Sequence, residues 1–198
     1  MTKNKNSIFK LVLLSLFVAI MLVMNFTPLG YITTGAFSIT LMTIPLALGA
    51  ACMGVKGGIV LGTLFGLTSF LQAFGIGFMI DPMAAVLFNT NPFFYALTCF
   101  VPRIVTGIIA GIVFTAFEKK GKVNIFSFIL SAASVPLFNT LLFMSFYAIL
   151  YKNTVLGGAA VMTVVLSALT FNFLVEFAVT LVAGVTINTV IHKYISKL

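Results

Sequence analysis

Arg103 and Glu176 are the two charges that fall well inside the long apolar stretches of this chain, and they are opposite in sign. An isolated charge at the centre of a bilayer costs at least about 2.5–3.5 kcal/mol, so each must face the interior and find a partner. A direct pairing, or one bridged by a ligand, is the economical solution. Asn139 adds an amide, with Phe143 one helical turn on and Tyr147 two turns on. Asn172 precedes Glu176 by one turn and shares its helix face. Gln72 and Asn91 lie toward the same end of the molecule. Any one of these amides could be interhelical glue. Together they describe a polar pocket with an aromatic lining, suited to holding a small polar molecule.

The elements that must position these residues follow from composition. The chain has 198 residues, 61% of them apolar and only 7% charged, with 22 phenylalanines. A soluble domain is nearer half apolar and a quarter charged. Disorder, a disulfide scaffold, a coiled coil and a soluble enzyme are excluded. No charged residue occurs between Lys10 and Lys56 or between Val123 and Tyr151. A helix needs about 20 apolar residues to cross the hydrocarbon core. Gly and Pro punctuation gives six predicted transmembrane helices near 8–27, 38–55, 57–75, 92–117, 123–150 and 160–191. The alternating ten-residue segments of a membrane barrel are absent. The expected fold is an all-α membrane protein, with residues 1–198 as a single six-helix membrane domain.

Nine of the 11 basic residues share one side of this layout: Lys3, Lys5, Lys10, Lys56, Lys119, Lys120, Lys122, Lys193 and Lys197. The opposite loops carry Asp81 and Lys152. The positive-inside rule makes the lysine-rich side, and both termini, cytoplasmic. The net charge of +8 therefore reports topology and anionic headgroups rather than nucleic acid. The first span is long and no convincing small-residue cleavage site follows it, so it reads as a retained helix. The outer connections, near 26–37, 76–91 and 151–159, are the longer ones and read as a cover over the pocket. Arg103 lies about 16 Å beyond Pro92 along a helix, near the midplane. Asn91-Pro92 is a helix start, and Ser38 is a candidate cap for the second span.

Close helix contacts are expected at Gly62/Gly66 and Gly107/Gly111, and Ser15/Ala19 gives a small-residue face on the first helix. Cys52 and Cys99 lie inside predicted helices as packing residues, with no metal spacing. Residues 49–56 (GAACMGVK) lack the Gly-Lys-Ser/Thr of a nucleotide loop. His192, the single histidine, lies far from Arg103 and Glu176, and no hydrolase motif occurs. Neither a cofactor nor enzymatic activity is expected.

Residues 35–49 (GAFSITLMTIPLALG), 62–70 (GTLFGLTSF), Asn91-Pro92, Val101-Pro102-Arg103 and 139–143 (NTLLF) carry a resemblance. The chain resembles the substrate-binding S component of an energy-coupling factor (ECF) vitamin transporter, closest to the pantothenate branch. The aspartate-bearing loop of riboflavin members is absent. The resemblance implies a bacterial plasma-membrane protein that captures a water-soluble vitamin from outside. It also implies partners: a membrane scaffold T component and two cytoplasmic ATPase subunits. Family members meet the scaffold through an Ala-x-x-x-Ala face on helix one, here Ser15-x-x-x-Ala19, and deliver ligand by toppling in the bilayer. Other expectations stand beside this one: another vitamin (riboflavin, pyridoxine or hydroxymethylpyrimidine), a self-contained secondary transporter or channel with Arg103 and Glu176 as relay charges, or a structural membrane protein.

Overall fold

A computed structural model describes residues 2–33, 38–78, 82–117, 125–151, 173–182 and 186. Among these, the chain forms α1 (Thr2–Asn25), β1 (Tyr31–Thr33), β2 (Ser38–Thr40), α2 (Thr43–Leu71) with a 3-10 turn at Gln72–Phe74, α3 (Pro82–Thr90), α4 (Pro92–Phe117) and α5 (Ile125–Tyr151). A further apolar helix, α6, runs over Phe173–Val182. Four segments are long and apolar enough to cross a membrane: Ile8–Asn25, Thr43–Phe74, Pro92–Phe117 and Phe126–Tyr151. The sixth predicted span, 160–191, is described only within α6 and at residue 186.

The second of these segments contains two of the predicted spans. Gly54 interrupts α2 with φ 65° and ψ −151°, a conformation open to glycine and strained for other residues. Along a straight helix Gly49 and Gly57 would stand about 12 Å apart. Instead, a methyl group built on Gly57 would meet the Gly49 carbonyl oxygen at 2.6 Å, and one on Gly49 would collide with Leu61. The chain therefore folds back at Gly54. Lys56, expected as the turn, lies in the first turn of the returning segment, because the positive φ falls to the glycine.

That returning segment lies antiparallel on α4 with backbones touching. Gly58 packs on Gly107, and Gly62 packs on the backbone of Arg103. Gly66 meets the Cys99 carbonyl and Phe100, and Gly111 meets Gly54 and Val55. The register advances one helical turn at each contact. A methyl on any of these glycines would come within about 3 Å of the facing backbone, which is why only small residues serve. The contact presses Arg103 against the centre of the bundle.

Two expectations need correction. The first is a second span that starts at Ser38 with that residue as its cap. Ser38 belongs instead to an antiparallel hairpin with Tyr31 opposite Thr40, Ile32 opposite Ile39 and Thr33 opposite Ser38. Tyr-Ile-Thr and Ser-Ile-Thr are rich in aromatic and β-branched residues, which suit a pleated ribbon. The helix begins at Thr43 after an N-cap, Met42, that makes no side-chain cap bond. Pro45 follows inside its first turn, where its missing N–H costs little. Among the described residues the fold is thus helical with one short hairpin. Second, the connection 76–91 is not all loop, since α3 occupies Pro82–Thr90.

One core gathers Phe17 and Met21 of α1, Leu46, Leu61 and Phe65 of α2, Phe114 of α4, and Phe128, Ala132 and Val135 of α5. Another gathers Ala84 and Leu87 of α3, Tyr95 and Cys99 of α4, and Tyr147 and Tyr151 of α5. Phe70 joins α2 to the latter, with rings at 5.6 Å from Tyr95 and 6.0 Å from Phe88. Cys52 and Cys99 form no disulfide, and Cys99 is buried in this second core.

Candidate binding site

Pro102 sets the position of Arg103. A proline inside a helix has no N–H to donate to the carbonyl four residues earlier. Here that carbonyl belongs to Thr98, and Arg103 Nη1 donates to it at 2.6 Å. The guanidinium is thereby turned into the bundle. It lies over the Phe143 ring at 4.5 Å and over the Phe65 ring at 5.3 Å, both within cation–π range. The side chain is buried, and its Nε has no hydrogen-bond partner among the described residues.

Glu176 enters from α6. It is 3% exposed, and its Oε1 accepts the backbone N–H of Thr40 in β2 at 2.9 Å. Its Oε2 is buried without a partner among the described residues. Thr180, one turn on, shares a hydroxyl hydrogen bond of 2.9 Å with Thr43 at the start of α2. So α6 is tied to the hairpin and to the helix that follows it.

The expected direct pairing of Arg103 with Glu176 is not made. Each has instead taken a backbone group that local geometry left free: the Thr98 carbonyl above Pro102, and the Thr40 amide in the hairpin.

Asn139 and Tyr147 complete the arrangement on α5. Both are buried, and Asn139 Oδ1 and the Tyr147 hydroxyl have no hydrogen-bond partner among the described residues. Phe143, half-buried between them, is the ring beneath the guanidinium. Thr106, one turn below Arg103, adds another buried hydroxyl without a partner. Buried polar groups are nearly always paired, so this set on α4, α5 and α6 stands out among the described residues.

The hairpin covers one flank. The Tyr31 hydroxyl bonds Thr68 at 3.2 Å and Ser69 at 3.1 Å on α2. Burial pushes the Tyr31 phenol up, so it stays a neutral hydroxyl. Tyr95 donates to the Ser69 carbonyl at 2.9 Å. On the same end, Phe78 N–H donates to the Asn25 carbonyl at 2.8 Å, tying the segment after the 3-10 turn to the end of α1.

The other expected residues fall as follows. Gln72 is buried in the 3-10 turn. Asn91 spends its side-chain oxygen as a cap, accepting Phe93 N–H and Phe94 N–H at 3.1 Å each. Asn172 lies outside the described residues. Ser15 and Ala19 are exposed on α1, opposite the face that buries Phe17 and Met21. Sequence reading missed Tyr31 as an anchor, Thr68 and Ser69 as its partners, Phe65 under Arg103, and the two backbone groups at Thr40 and Thr98. Of these, the Thr98 carbonyl had a signal, because Pro102 directly before Arg103 frees it.

A family model for the substrate-specific component of the ECF transporter matches residues 9–188. The chain belongs to this family. It is therefore a transporter subunit rather than an enzyme, and the apolar helices are those of an integral membrane protein. It is similar to the Pantothenic acid transporter PanT of Lactococcus lactis subsp. cremoris, 28% identical over 171 residues, or 82% of this chain and 86% of that one. It is also similar to the Pantothenate transporter PanT of Leuconostoc mesenteroides subsp. mesenteroides, 32% identical over 124 residues. That match covers 60% of this chain and spans only 56% of the Leuconostoc protein's length.

Proposed function

We propose that this chain captures pantothenate at the outer face of a bacterial plasma membrane and passes it inward as the S component of an ECF-type transporter. The observation that carries the reading is the set of buried, unpartnered polar atoms on Arg103, Asn139, Tyr147 and Glu176. Pantothenate offers a carboxylate for the guanidinium, an amide, and two hydroxyls for the remaining groups. A fork of N–H donors suits a carboxylate. The names of the two relatives point to the same ligand. Arg103, Asn139, Asn172, Glu176, Gln72, Asn91, Phe143 and Tyr147 are the proposed ligand-side residues. Asn91 acts through its cap at the head of α4, since its oxygen is already engaged.

The lysine-rich side and both termini face the cytoplasm in this reading. The outer mouth is then the end bearing the hairpin, the 3-10 turn and α3. Uptake is driven by a scaffold T component and two ATPase subunits reached through the exposed Ser15/Ala19 face. Calorimetry on the purified subunit with pantothenate, riboflavin, pyridoxine and hydroxymethylpyrimidine tests the ligand. One submicromolar binder with 1:1 stoichiometry is expected, and it is pantothenate. Binding of a different vitamin replaces the ligand, and no binding across the panel sinks the capture reading.

A further inference from the structure

Glu176 performs two separable jobs with its two oxygens. Oε1 holds the backbone of the hairpin at Thr40. Thr40 pairs with Tyr31, whose hydroxyl is fixed on Thr68 and Ser69, so the hairpin is pinned to α2 on one side and α6 on the other. Oε2 is buried and has no partner among the described residues. Across the cluster, Arg103 Nε is likewise buried without one. A carboxylate oxygen only accepts and a guanidinium only donates. The two orphaned atoms are thus complementary to opposite functional groups.

We infer that Glu176 fixes the class and orientation of the ligand: Oε2 accepts hydroxyl protons from one end of a hydroxylated carboxylic acid, the acid end lies on Arg103, and Oε1 keeps the hairpin closed over both. The inference rests on the pantothenate reading and deepens it. A ligand with acid groups at both ends sets carboxylate against carboxylate and is rejected. A ligand without hydroxyls leaves Oε2 buried and unpaired, and binds weakly. Recognition at the hydroxyl end and closure of the hairpin meet in one side chain.

The test compares pantothenate with N-(tert-butylacetyl)-β-alanine, which keeps the carbon skeleton, the carboxylate and the amide but lacks both hydroxyls. Full-length protein is used as wild type, Glu176→Gln and Glu176→Ala, with hydrogen exchange read at the Thr40 amide. Wild type should prefer pantothenate by roughly 10- to 100-fold. Glu176→Gln should lose most of that preference while keeping Thr40 protected, because its carbonyl still accepts the amide. Glu176→Ala should lose the preference and exchange faster at Thr40. Equal wild-type affinity for the two compounds overturns the inference without any variant. So does a Glu176→Gln protein that retains the full preference. If wild type binds neither compound, the pantothenate reading itself fails and the inference falls with it.

Discussion

Arg103 donates to the carbonyl of Thr98 at 2.6 Å, the acceptor that Pro102 leaves without its helical N–H. A residue that disturbs the helix thereby orients the charge beside it. Pro102→Ala should restore an N–H that competes for this carbonyl. We expect thermal stability in detergent to hold or rise, while ligand affinity falls by about 10-fold, the size of one lost charge-assisted hydrogen bond. Calorimetry and a melting curve on the same sample check it. Unchanged affinity means Arg103 is oriented by its two rings instead.

Arg103→Lys should not rescue binding. Lysine keeps the charge but is a point donor without the planar fork, and it loses stacking over Phe143 and Phe65. A loss of at least about 10-fold is expected. Arg103→Gln paired with Glu176→Gln should fold, since no buried charge is left alone, yet bind no ligand. A double variant that transports at the wild-type rate rules out a ligand role for either residue.

Gly107→Val should damage the fold more than any other of these substitutions. A β-carbon at Gly107 collides with the backbone of Gly58, and backbone cannot rotate away as a side chain can. The expected loss is about 3 kcal/mol, the upper end for overpacking, read as a lowered melting temperature. Gly54→Ala should cost less, about 1–3 kcal/mol, since its penalty is the glycine-only backbone conformation and the nearest atom is 3.6 Å away. A reversed order would show that the fold-back matters more than the α2–α4 contact.

Tyr31→Phe removes the hydroxyl that bonds Thr68 and Ser69 inside the protein. About 1–2 kcal/mol should be lost. Hydrogen exchange in residues 38–42 should quicken, because the hairpin loses its hold on α2. Exchange that stays unchanged would mean that Glu176 alone secures the hairpin.

Ser15→Trp and Ala19→Trp alter the exposed face of α1, opposite its buried Phe17 and Met21. Ligand affinity should match wild type, while ATP-driven uptake in liposomes containing the scaffold and ATPases should be lost. Loss of both would show that the face packs within the bundle. Concentrative uptake by the subunit alone would favour a secondary carrier.

Much of the fold was legible in hydropathy. Pro92 opens α4 as the Asn91-Pro92 pair predicts, and the long uncharged stretches carry apolar helices at Ile8–Asn25, Thr43–Phe74, Pro92–Phe117 and Phe126–Tyr151. The glycine contacts between α2 and α4 were legible too, because in lipid only small residues let helices touch. The hairpin was not, since three-residue strands are too short for a period to register beside a long apolar run.

Residue types and their spacing were enough to establish a helical membrane bundle, to turn Arg103 and Glu176 inward, and to set Asn139, Phe143 and Tyr147 on one stripe of α5. Those conclusions follow from the cost of exposed charge in lipid and from helical spacing, and both are local. What the two charges hold came from the packing of the elements against one another. Glu176 takes an amide 136 residues away, and Arg103 takes the Thr98 carbonyl rather than its opposite charge. Hydrogen bonding depends on distances of tenths of an ångström between elements remote in the chain, and residue type and spacing do not encode them.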